Sequence, residues 1–123
     1  MDRIQIVKGS QLPDGTTTEA IYDVAWAGED RLLPDGTLAP VDNTVDLATG
    51  RVDNRVGAAQ LRAWWTDPHF DPDAHAFYYA RVLQIPTARH SLLDKLALGG
   101  DVETHRPDTI QERAYTSSIW YSP

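Results

Sequence analysis

The sequence predicts a mainly β domain of the β-sandwich type, with long loops and one short helix, and three observations carry that prediction. Apolar residues recur with period two along most of the chain, as strands with one buried face require. Reversal chemistry punctuates it, since LPDGT stands at 12–16 and again at 33–37. Helical spacing surfaces in a single segment, which argues against a doubly wound α/β sheet with helices between successive strands.

RIQIV at 3–7 reads as the first strand, and its Ile4/Ile6 alternation begins almost at residue one, as if the chain were entered partway through a sheet with an upstream partner. The first LPDGT reverses the chain, with Pro13 presetting φ and Gly15 accepting a positive one. AIYDVAWA at 20–27 then places Tyr22, Val24 and Trp26 on one face. The second LPDGT is a further turn rather than the start of a repeat, and NTVDLATG at 43–50 offers a short strand. In AAQLRAWW at 58–65, Ala59, Leu61, Ala63 and Trp65 share a face and Gln60 and Arg62 the other. Trp64 and Trp65 then project in opposite directions, so one indole leaves the core. AFYYARVLQI at 76–85 carries β-formers on both faces and reads as a central strand, with Phe77, Tyr79, Arg81, Leu83 and Ile85 together. HSLLDKLALGG predicts a helix over 91–98: Ser91 as N-cap, Asp94 in the capping-box place, Leu92, Leu93 and Leu96 as the apolar stripe, Gly99 as the stop. The last strand lies in QERAYTSSIWYS, where Tyr115, Ile119 and Tyr121 alternate with polar neighbours and Ile119 is expected in the core.

A chain of 123 residues fits one domain. Eighteen acidic against eleven basic side chains give a net charge of -7, which repels phosphate backbones and anionic headgroups, so neither nucleic acid nor a membrane is an expected partner. With no cysteine, thiolate chemistry and disulfides are excluded, and a zinc site would have to be made of histidine and carboxylate. MDRIQIVKGS has no apolar signal region, so a soluble chain is expected; its location is otherwise not legible.

The densest cluster of possible ligands is WWTDPHFDPDAHAFYY at 64–79, with Asp67, His69, Asp71, Asp73 and His75. A calcium loop needs glycine at its sixth and glutamate at its twelfth position. Counted from Asp71 those places hold Ala76 and Val82, and counted from Asp67 they hold Pro72 and Tyr78. A zinc-hydrolase helix is no better, because Pro72 divides the two histidines. Asp67-Pro68 and Asp71-Pro72 are turn initiators, and a connecting loop is the preferred reading over a metal site. Ser91, Ser117 and Ser118 sit in no nucleophile elbow. Trp26, Trp64, Trp65 and Trp120 offer a platform for a sugar or another flat ligand, although aromatics on alternating strands serve first as core and interface.

The run WWTDPHFDPDAHAFYYARVLQIPTARHSLLDKLALG and the later IQERAYTSSIWYSP resemble the C-terminal portion of a large uncharacterised bacterial family, domain of unknown function 3604. QIVKG, YDVAWAG and NTVDLATG resemble it in the same order. The longer members resemble, upstream, metal-dependent hydrolases of the polymerase-and-histidinol-phosphatase type. The resemblance therefore implies a non-catalytic β domain that packs on and supports such a hydrolase portion, with any divalent metal held there and no cofactor in this chain. The segment Arg81 to Leu98 carries over with departures, since the family pattern prefers glutamate at Gln84, proline at Ala88 and tryptophan at His90. Trp64, Trp65, Arg81, Gln84, Arg89 and His90 are the expected interface residues, facing the upstream domain or a second copy. A stand-alone ligand-binding module using exposed aromatics is the alternative, and a small metalloenzyme built on the 67–75 cluster a weaker one.

Overall fold

The computed structural model describes residues 1–99 and 105–123. Its strands are β1 (Arg3–Gln11), β2 (Thr17–Trp26), β3 (His75–Leu83), β4 (Thr87–Ala88), β5 (Thr109–Ile110), β6 (Arg113–Tyr115) and β7 (Ile119–Tyr121), with one helix, α1 (His90–Leu98), and 3₁₀ turns at Glu29–Arg31 and Asn54–Val56. The fold is mainly β, as the alternation predicts. One antiparallel sheet runs β2-β1-β3-β6, with β7 following β6 along the outer edge of β3, and β4-β5 form a separate two-stranded ribbon. β3 is central, as expected from its two apolar faces.

Both LPDGT segments are turns of the same build. In the first, which joins β1 to β2, the Gly15 N–H donates to the Leu12 carbonyl at 2.9 Å and the Leu12 N–H to the Thr16 carbonyl at 2.8 Å. The Asp14 carboxylate accepts from the Thr16 N–H at 2.9 Å. The second repeats these bonds through Leu33, Gly36, Thr37 and Asp35 at the same distances, and the two glycines have φ of 85° and 82°. Only an isolated bridge, Leu32 to Leu38, flanks the second turn.

Two one-residue irregularities overturn the expected faces. Ile4 pairs with Ala25 but Gln5 with Asp23, leaving Val24 unpaired; Tyr22, opposite Ile6, and Trp26, opposite Arg3, therefore lie on opposite faces rather than together. On the far edge Arg81 pairs with Tyr115, whereas Tyr78 pairs with Ile119, so one extra residue sits between β6 and β7. The predicted single strand is split there. The Thr116 N–H and hydroxyl take over the ladder, bonding the Ala80 carbonyl and N–H at 3.0 Å each. Because side chains alternate, the extra residue moves Ile119 and Tyr121 to the face opposite Tyr115. Ile119 is 73% exposed, not in the core.

Three further local expectations are corrected. AAQLRAWW at 58–65 forms no strand: its Trp65 packs on the sheet face against Tyr22 and Tyr78 instead of the segment adding to the open edge of β2. NTVDLATG contributes only a bridge, Val45 to Val52, because Asp46 closes a turn on the Ala48 N–H at 2.9 Å and the Thr49 hydroxyl at 2.7 Å. Ser91 is not the N-cap of α1. Arg89 is, held extended by the ribbon through its N–H to the Asp108 carbonyl at 2.8 Å and its Nε to the Pro107 carbonyl at 2.9 Å, so the helix starts at His90. Gly99 ends it in the left-handed conformation, φ 64°, as predicted. The buried apolar residues are Val7, Ala25, Ala27, Ala74, Ala76, Leu83, Ile85 and Leu92.

Candidate functional site

In an antiparallel ladder directly opposed residues share a face and successive residues alternate. The pairings of β1 with β2 and β3 therefore sort the sheet into two surfaces. Ile4, Ile6, Lys8, Tyr22, Ala76, Tyr78 and Ala80 belong to one, and Arg3, Gln5, Val7, Gly9, Ile21, Phe77, Tyr79 and Arg81 to the other.

Residues 65–72, which lead into β3, are the cover of the first surface. Trp65 lies against Tyr22, ring centroids 5.0 Å apart, and edge-on to Tyr78 at 6.4 Å. Phe70 meets Tyr121 edge-on at 4.9 Å. The Tyr121 hydroxyl donates to the Pro72 carbonyl at 2.9 Å. Beneath these rings the Lys8 ammonium donates to Asp67 at 2.6 Å and to the His69 carbonyl at 2.7 Å, while the Tyr78 hydroxyl donates to the same Asp67 oxygen at 2.7 Å. Lys8 and Asp67 side chains are 9% and 6% exposed, so the pair is desolvated. Burial by itself pushes the Asp67 carboxyl up, but the Lys8 ammonium, the His69 N–H and the Tyr78 hydroxyl together hold it below the ordinary carboxylate value. Burial likewise pushes Lys8 down, and Asp67 more than restores it. Tyr78 is raised, by burial first and by the neighbouring carboxylate second.

The metal candidates do not converge. Asp67 is committed to Lys8 and Tyr78, Asp71 caps the Asp73 N–H at 2.9 Å, and Asp73, His69 and His75 are exposed. Among the described residues no three histidine, aspartate or glutamate side chains are grouped to hold a metal ion.

The second surface has a roofed half and an open half. In the roofed half a polar chain runs from Arg81 Nε to Gln5 Oε1 at 2.8 Å, Gln5 Nε2 to Asp23 at 2.8 Å, and Arg3 to Asp23 at 3.2 Å and to Asp2 at 3.0 Å. Asp2 is 1% exposed and accepts from Gln111 Nε2 at 2.8 Å. Arg31 Nη2 stands 2.7 Å from its other oxygen as an ion pair without hydrogen-bond alignment. Arg31 and Arg3 also donate to the Ala39 carbonyl, which fastens the 27–39 loop over this end. The open half is aromatic: Phe77 and Tyr79 are parallel at 6.4 Å, Phe77 meets Trp120 at 5.2 Å and Tyr79 meets Tyr115 at 6.1 Å. Ile21, Tyr115 and Trp120 are 47%, 58% and 74% exposed.

The expected interface residues are scattered over the molecule. Trp64 points away from the fold, 97% exposed, and Trp65 is part of the cover, half-buried against Tyr22 and Tyr78. Arg81 belongs to the polar chain. Gln84 lies just beyond β3, its N–H donating to the Glu112 carbonyl at 2.9 Å, and Arg89 and His90 sit at the start of α1. Sequence reasoning missed Lys8 and Gly9. Lys8 had a signal, since it stands in phase with Ile4 and Ile6, where a charge implies a buried partner. Gly9 had one too: a Cβ there would stand 2.3 Å from the Phe77 ring, so a glycine interrupting a strand marks close approach.

No curated protein and no solved structure matches the chain. The family model described as protein of unknown function (DUF3604) matches residues 1–123, and the chain belongs to that family.

Proposed function

We propose that this chain is a non-catalytic β domain that packs the Ile21–Tyr79–Tyr115 side of the open half of its sheet, leaving the Trp120 end uncovered, on a metal-dependent hydrolase portion, of the kind the family resemblance implies, and walls its pocket. One observation carries the reading: a strip across four adjacent strands carries Ile21 of β2 and Tyr115 of β6, 47% and 58% exposed, on either side of the half-buried Tyr79, with the buried Val7 of β1 between Ile21 and Tyr79. Contiguous exposed apolar surface is uncommon on a monomer, and aromatic residues concentrate at the centres of interfaces. Within the 67–75 cluster Asp71 closes a turn and Asp67 pairs with Lys8, and on this reading the catalytic metal belongs to the partner. Without that partner the strip supports self-association.

The upstream portion of a longer family member, supplied in trans, should convert a concentration-dependent dimer into a one-to-one complex with an interface of at least about 1,000 Å². Sedimentation velocity reads both states. Ile21→Ser combined with Tyr115→Ser should weaken both associations, and a monomer indifferent to the added portion would overturn the reading.

A further inference from the structure

At the hairpin end of the open surface a groove of about 700 Å³ runs between Trp120 and the β1-β2 strands, within the roughly 300–1,000 Å³ typical of ligand sites. We propose that it binds a neutral oligosaccharide, with one pyranose ring stacked on the Trp120 indole. The site is separate from the Ile21–Tyr115 strip and stands whether or not that strip is an interface.

Three observations carry the assignment. The first is the platform. Gly9 lets the Phe77 ring lie directly on the sheet backbone, and Phe77 in turn supports Trp120 at 5.2 Å, so an indole 74% exposed is braced from one side and free on the other. An electron-rich aromatic face takes the C–H face of a sugar ring. The second is the rim. Gln11, Glu19 and His75 line the groove, project to the Trp120 side by register, and their side chains make no hydrogen bond among the described residues. A carboxylate accepts only, whereas a carboxamide and an imidazole both donate and accept. Sugar hydroxyls, which also do both, satisfy all three. A polyproline-type peptide, the other occupant that aromatic grooves accept, offers carbonyl acceptors and leaves Glu19 facing no donor. The third is charge. No lysine or arginine lines the groove and the chain carries -7 overall, so phosphate, sulfate and uronate ligands meet a carboxylate and no cation.

The test is a ¹H–¹⁵N titration of the chain with cellohexaose, mannohexaose, xylohexaose, laminarihexaose and chitohexaose, and with a decaproline peptide. The Trp120 indole N–H is assigned by its loss in Trp120→Ala. At least one hexasaccharide should shift the Trp120 indole and the Gly9 amide saturably. Trp120→Ala should weaken that binding about tenfold or more, Glu19→Gln should weaken it less, and Trp64→Ala should leave it unchanged. Trp120 is exposed, so an unchanged thermal melt is expected of the variant and certifies its fold. No shift with any hexasaccharide, shifts that survive Trp120→Ala, or shifts produced by decaproline alone would each overturn the proposal.

Discussion

The two surfaces of the sheet are made by alternate residues of the same strands, yet one takes a loop across its aromatic residues and the other leaves its aromatic half open. The covered surface carries Tyr22, Tyr78 and Lys8, with a loop from the same chain lying across them. The open half of the other carries Phe77, Tyr79, Tyr115 and Trp120, which pack on one another. Aromatic content is therefore no guide to burial here. What separates the covered surface from the open half is an anchored carboxylate, Asp67, which brings the loop down; on the other surface Asp2, Arg3 and Arg31 fasten a loop over the roofed half alone.

The comparison is broken most severely by removing that anchor. Asp67→Ala leaves the Lys8 ammonium buried without its partner, a loss on the order of 3–5 kcal/mol against a total of about 5–15 for a domain. Urea unfolding checks it, and a loss under about 1 kcal/mol would mean that the rings rather than the ion pair hold the cover. The pH dependence carries the same information. Asp67 is lower in the folded state than its ordinary 3.8, so its contribution is complete above that value and disappears as pH falls through the lower, folded one. Lys8 is raised above 10.5, so its contribution is complete below 10.5 and is lost as pH climbs through the folded value. Asp67→Asn should flatten the acid limb of a stability–pH profile.

A smaller effect is expected on the open side. Gly9→Ala forces the Phe77 ring off the backbone, and overpacking of this kind costs roughly 1–3 kcal/mol. Near-UV circular dichroism should register the displaced ring together with a lower melting temperature. The smallest effect is expected of Ile119→Ala. At 73% exposure it should stay within about 0.5 kcal/mol, and a larger shift in a thermal melt would show that the β7 edge is covered in solution.

Strand alternation, both turns, the helix and its Gly99 stop were legible because each is written in consecutive residues. The faces of Trp26 and of Ile119 were not. Each depends on one unpaired residue, Val24 or the extra position between Tyr115 and Ile119, and a bulge is set by the partner strand rather than by local composition. AAQLRAWW has the period of a strand, but only its first residue makes ladder-like bonds, the Ala58 N–H donating to the Met1 carbonyl at 2.9 Å and the Ala58 carbonyl accepting from the Met1 ammonium at 2.7 Å, and alternation alone does not make a strand. Residues 67–74 lie in loop and turn, and His75 opens β3. The Lys8–Asp67 contact spans 59 residues of sequence, and spacing within the cluster holds no trace of it.

The twin LPDGT turns carry a consequence for how cooperative this fold is. Leu12 and Leu33 have the same two local hydrogen bonds at the same lengths, and their turns share one five-residue text, so their amides have nearly the same intrinsic chemistry. One is stitched to the β1-β2 ladder and the other to a lone bridge. Deuterium uptake at these two amides, followed in a single sample, thus weighs a ladder against a bridge with the turn itself cancelled out. The chain contains its own reference for how far the order of the sheet extends into its loops.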